Sequence, residues 1–175
     1  MLARAAALLP DLARLGKATD FLDDILEVLQ PLVLFEGFSA KECGELCQYL
    51  ECFGAPTNAT IIREGDIGNF LVIVLTGSIR VAKMLANGES REVALVGPGA
   101  FLGEMSLIDG KPRFASCISA APADLAVLPR ENLNALMLDN ARLGQKLLLM
   151  LLRLMAKRLR DTTERMLPHL VDGPV

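Results

Sequence analysis

The sequence contains a single histidine, His169. A histidine-rich metal centre, or a nucleophile activated by a neighbouring imidazole, therefore has almost nothing to draw on. Carboxylates can still move protons, so this alone does not dispose of an enzyme. The four cysteines, Cys43, Cys47, Cys52 and Cys117, form no CxxC pair. They read as reduced thiols in a cytosolic protein. Positive charge is not in excess: 18 Lys and Arg stand against 21 Asp and Glu, a net charge of −3. That argues against whole-surface affinity for nucleic acid, although a local basic patch stays compatible with it. Long apolar runs are missing too. The longest, Leu147 to Leu152, stops at Arg153, whereas a bilayer span needs roughly 20 apolar residues. Arg4, Asp11 and Arg14 break up the N-terminus, which lacks the pattern of a signal peptide. A cytoplasmic protein without a membrane span is expected, its first segment an amphipathic helix.

What is present suits one domain: 175 residues, 52% of them hydrophobic, enough for a sizeable core. Three parts are distinguished. Helices are expected over 1–33, a β-barrel over 34–140, and a long helix with a short tail over 141–175. In the first part Leu12, Leu15, Phe21, Leu22, Ile25, Leu26 and Leu29 recur at helical spacing. Pro10 and Gly16 divide that stretch into two helices, and Pro31 breaks it again. Ser39, with Glu42 three residues on, predicts a capping box for a helix to about Leu50.

From residue 51 onward the character changes. Strands are predicted at Ala59–Arg63, Phe70–Leu75, Ser78–Lys83, Arg91–Val96 and Ser116–Val127. Glycine turns separate them, including Thr76-Gly77 and the hairpin signal Asn87-Gly88. Short strands punctuated in this way predict an antiparallel sandwich or jelly-roll barrel, mainly β with flanking α. Pro129 can open a short helix over Arg130–Leu138. The last helix is predicted from Ala141 to Met166. Leu148, Leu152, Met155, Leu159, Thr162 and Met166 alternate spacings of four and three along it, a seam for a second copy. Leu147, Leu149, Leu151 and Leu154 form a second apolar side that can pack on the barrel.

The densest signal lies between Phe101 and Ser116: Gly103-Glu104-Met105-Ser106, a variable turn, then Pro112-Arg113-Phe114-Ala115-Ser116. It resembles the phosphate-binding cassette of the cyclic-nucleotide-binding domain family, and Gly65, Gly77 and Gly99 fit the supporting pattern. The resemblance covers roughly residues 34–166. It implies a receptor for a cyclic mononucleotide that catalyses nothing itself. The residue chemistry agrees. Arg113 offers a planar fork of donors to phosphate oxygens. Glu104 can accept a hydrogen bond from a ribose hydroxyl. Gly103 has no Cβ, so the backbone can come close to a ligand. One helical turn at Met105–Ile108 would aim free N–H groups, Ser106's among them, at an anion. The N–H groups of Phe114 and Ala115 add donors, and Ser116 is a further candidate phosphate contact. The bland alternative for Glu104 and Arg113 is a structural ion pair or a solvated surface pair.

The sequence departs from the family at Phe114, where readers of guanine often carry Thr and catabolite activator proteins carry Ser. Phe offers no side-chain hydrogen bond. The expected ligand is therefore cAMP first and cGMP second, with no metal. The Thr162-Thr163 pair, followed by Glu164 and Arg165, resembles the dimerisation helix of bacterial catabolite activator proteins. The resemblance implies that Thr162 meets adenine in its own subunit and Thr163 in the partner's. The alternative is that both are surface residues of a helix. A bacterial homodimer signalling to an unidentified downstream protein is expected. Only nine residues follow Met166, so direct DNA binding within the chain is not expected. Two rival readings stay open: a structural or interaction module with a degenerate pocket, and an iron–sulfur redox sensor built on the four cysteines.

Overall fold

The computed structural model describes residues 9–171, with side chains as far as Leu167. Two antiparallel sheets form a jelly roll. One has the order β1 (Ala13–Lys17), β2 (Glu51–Ala55), β9 (Ala123–Pro129), β4 (Phe70–Val74), β7 (Phe101–Leu102). The other runs β3 (Thr60–Ile62), β8 (Ser116–Ser119), β5 (Ile79–Met84), β6 (Ser90–Val96). Helices α1 (Leu22–Leu29), α2 (Ala40–Cys47), α4 (Arg130–Asp139) and α5 (Ala141–Val171) flank the strands, and α3 (Glu104–Asp109) interrupts them. The expected jelly roll with a long C-terminal helix is what the chain forms.

β4 explains the layering. Every one of its residues is buried. Phe70, Val72 and Val74 face the space between the sheets, while Leu71 and Ile73 face the helices. An unbroken apolar run is what a strand covered on both faces requires. The inter-sheet core adds Phe53, Ile61, Ile62, Ile79 and Leu125. A second core on the other face of the five-stranded sheet gathers Ile25, Leu29, Phe35, Leu46 and the inner side of α5, including Leu143, Leu147 and Leu151. β6 lies at a sheet edge and is mostly exposed.

Local signals were largely sufficient where turn or cap chemistry decided the outcome. Ser39 and Glu42 form both halves of the capping box on α2. Gly88, at positive φ, sits in the turn of the β5–β6 hairpin. α4 begins directly after Pro129, and α5 begins at Ala141 but continues past Met166 to Val171.

Three expectations need correction. Residues 13–17 are a strand and not helix. They pair with the edge of β2, with a bulge between Arg14 and Gly16, and Arg14 Nε donates to Glu51 at 2.9 Å. The helix-like spacing of Leu12 and Leu15 lost to a free strand edge that backbone groups can pair with. The expected helix over the first eight residues lies outside the described residues. Second, the predicted run Ser116–Val127 is two strands in different sheets, divided by a turn at 120–122 that includes Pro122. Third, Leu149 is largely exposed and does not share the buried side of α5 with Leu147, Leu151 and Leu154. β2 and β7 went unread in the sequence.

Candidate functional site

Arg113 and Glu104 are both almost fully buried, 4% and 2% exposed, a placement charged side chains adopt only with partners. Arg113 Nη1 donates to the Gly103 carbonyl at 2.9 Å and Nη2 to the Phe70 carbonyl at 2.8 Å. Its guanidinium carbon lies 4.4 Å from the centre of the Phe70 ring. Two of its five N–H donors are thereby spent on the fold, and three remain for an anion. Burial lowers the Arg113 pKa, partly offset by the carboxylates of Glu104 and Asp66.

Two glycines make this seat. Gly103 adopts φ +79° at the start of α3, and a Cβ there would overlap Arg113. A Cβ on Gly68 would overlap the same side chain. Gly68 was not singled out in the sequence, because its requirement arises from Arg113, which is 45 positions away along the chain.

Glu104 is paired with Arg158 of α5, whose Nη2 also donates to the Phe101 carbonyl at 2.6 Å. Sequence reading missed Arg158. It lies four residues before Thr162 on the same helix, and that spacing was the available signal.

These groups surround a cavity of about 100 Å³. Of the residues expected to bind, Gly103, Glu104, Met105, Ser106, Arg113, Phe114 and Ala115 line it, together with Arg158. Ile62, Val81, Leu102 and Cys117 complete its wall. Burial raises the Cys117 thiol to about 12, so it stays neutral there. Ser116 does not line the cavity; its hydroxyl accepts from the Glu64 N–H at 2.9 Å. Thr162 and Thr163 are exposed on α5 outside the lining, and the Thr163 hydroxyl donates to the Leu159 carbonyl at 2.8 Å.

A larger cavity of about 480 Å³ lies elsewhere, bounded by Leu15, Phe21, Cys52 and Pro98 and by the carboxylates of Asp24, Glu27 and Asp124. Its charge repels a phosphate, so the larger cavity is the poorer candidate for an anion site. The cysteines do not gather. Cys43, Cys47 and Cys52 belong to the helix-side core and Cys117 to the inter-sheet core. Burial raises Cys47 and Cys52 to about 12. Among the described residues no group of three or more Cys, His, Asp or Glu side chains is placed to hold a metal.

Comparison with known proteins finds relatives in one family. The curated cyclic AMP receptor protein of Thermus thermophilus is 34% identical over 128 residues, 73% of this chain and 57% of that protein. The chain spans less than two thirds of the curated relatives it matches first. The regulatory domain of Toxoplasma gondii PKA, solved with cAMP, superposes with TM-score 0.59 at 31% identity, over 66% of this chain and 44% of that one. A cyclic nucleotide-binding domain from Methylobacillus flagellatus is 42% identical, with TM-score 0.83, over 91% of this chain and 90% of that one. Residues 55–140 match the cyclic nucleotide-binding domain family, and they contain Gly68, Gly103, Glu104 and Arg113, the residues that seat the Arg113 guanidinium and its carboxylate neighbour. With its cassette so placed, and with a relative alike over nearly its whole length, this chain belongs to the cyclic nucleotide-binding domain family.

Proposed function

We propose that this chain is a cAMP receptor that carries out no catalysis and passes its signal to a partner protein through α5. The observation that carries the reading is the convergence of Arg113 and Glu104 on one cavity, one suited to a cyclic phosphate and the other to a ribose hydroxyl. Adenine is favoured over guanine on two grounds. Phe114 offers no side-chain hydrogen bond to guanine. Thr162 follows Arg158 by one helical turn, so its hydroxyl lies along the side of α5 that reaches the cavity. Thr163, one residue round the helix, suits the cavity of a second copy.

Arg158 supplies the coupling. A volume of about 100 Å³ is below the roughly 300 Å³ from which small-molecule sites run, and Arg158 takes part of the space. A nucleotide bound at Glu104 must therefore move Arg158 or share the carboxylate with it. Either changes the tie between α5 and the barrel, so the ligand has different affinities for different positions of α5. Leu152, Leu159 and Met166, all exposed on α5, form the face a second copy would cover.

The test is calorimetry on protein unfolded and refolded to remove any carried-over nucleotide. One cAMP per subunit is expected, bound more tightly than cGMP. Arg113→Ala should abolish most of that binding. A refolded wild type giving no heat with either nucleotide overturns the receptor reading in favour of a pocket that is structural only.

A further inference from the structure

Phe114 is 60% exposed although it lines the cavity. An aromatic ring left in water at the mouth of a binding cleft is apolar area available to a ligand. Its placement is not loose. Lys83 Nζ lies 4.3 Å from the centre of the ring and donates to the Phe114 carbonyl at 2.6 Å. Lys83 is held in turn by Glu64, at 2.6 Å, and the Glu64 carboxylate also accepts from the Met84 N–H at 2.8 Å. The Glu64 N–H is bonded to Ser116, two residues beyond Phe114. β5, the Glu64 turn and the cassette thus grip Phe114 from its backbone and its ring together. Phe114 lines the cavity whereas Lys83 does not, and most of the ring remains exposed with the clamp in place. Met105, partly exposed, and Val81 line the same cavity as apolar neighbours.

We propose that Phe114, held by Lys83, is a stacking platform for the nucleobase and makes this site select purine over pyrimidine cyclic nucleotides. The proposal rests on the receptor reading above and assigns Phe114 a role in specificity. A purine presents two fused rings to the platform and a pyrimidine one, so stacking favours the purine. Base–aromatic stacking strengthens binding roughly ten-fold per base. Stacking uses the face of the base and leaves its edge to Thr162. Lys83 acts as a positioning residue: its charge attracts the ring's π-face and its hydrogen bond fixes the backbone that carries the ring.

The experiment measures the affinities of cyclic AMP and cyclic CMP for wild type, Phe114→Ala and Phe114→Trp by calorimetry. The exposed ring bears little of the core, so the alanine variant keeps its fold. Wild type is expected to prefer cyclic AMP. Phe114→Ala is expected to weaken cyclic AMP roughly ten-fold and cyclic CMP less, so their ratio falls, while Phe114→Trp keeps it. Lys83→Met should lower the ratio in the same direction and Lys83→Arg restore it. A ratio unchanged in Phe114→Ala overturns the platform while leaving the receptor reading in place. A wild type that binds neither nucleotide removes the receptor reading and the platform with it.

Discussion

Gly68 shows how one missing side chain can set the position of a charge. A methyl group there would collide with Arg113, whose guanidinium is fixed by the Gly103 and Phe70 carbonyls. Gly68→Ala is expected to lower cAMP affinity at least about ten-fold and to reduce stability by about 1–3 kcal/mol, the usual range for overfilling a packed site. Calorimetry and urea unfolding read the two effects. Unchanged affinity would mean that Arg113 finds another seat of equal value. At this scale the grouping was legible: Gly103, Glu104 and Arg113, singled out by their spacing, line one cavity. Gly68 and Arg158 were not legible, because each acts on a cassette residue tens of positions away, Gly68 on Arg113 and Arg158 on Glu104.

The elements give two further tests. The α2 cap places Glu42 where Lys146 of α5 donates to it at 2.6 Å, and the Ser39 N–H also donates to it. These contacts, Lys146 first, lower the Glu42 pKa from 4.5 to about 2. A carboxylate depressed in the folded state stabilises fully above its unfolded pKa and loses that contribution as pH falls through the folded one. The stability difference between wild type and Glu42→Gln should therefore be steady near neutrality and shrink between about pH 4.5 and 2. Glutamine preserves the capping hydrogen bond, so denaturation at several pH values isolates the charge. A difference that does not vary with pH would show that Lys146 does not act through it. The second test concerns α5. Leu159 is 69% exposed, so if α5 joins two copies as proposed, Leu159→Glu should leave the subunit folded while halving the mass seen by sedimentation. An unchanged mass would overturn this face of α5 as a contact between copies. Periodicity located the buried side of α5 but misplaced Leu149, and it mistook β1 for helix. Spacing alone cannot reveal that an unpaired strand edge waits for residues 13–17.

For the whole molecule, the two cores join at the five-stranded sheet, so the ligand proposed for the cassette would act on the inter-sheet layer and on α5 together. A ligand that binds only the folded chain, at 100 times its dissociation constant, adds about 2.7 kcal/mol of stability. For a chain of this size that raises the melting temperature by roughly 5–10 °C. Thermal denaturation with cAMP should show that rise for wild type and lose it in Arg113→Ala. An equal rise in both would place the binding site away from the cassette.

The sequence by itself determined what depends on neighbours along the chain. Turn glycines, the Ser39–Glu42 cap, the apolar run of β4 and the short cassette all act over a few residues, so their chemistry is written locally. Only the tertiary structure decided which strand edge captured residues 13–17, that the stretch from Ser116 to Val127 divides between two sheets, and that Arg158 meets Glu104. Those outcomes depend on pairing unsatisfied backbone groups and buried charge with whatever the fold brings close. The partner in each case is set by three-dimensional proximity, which sequence spacing does not encode.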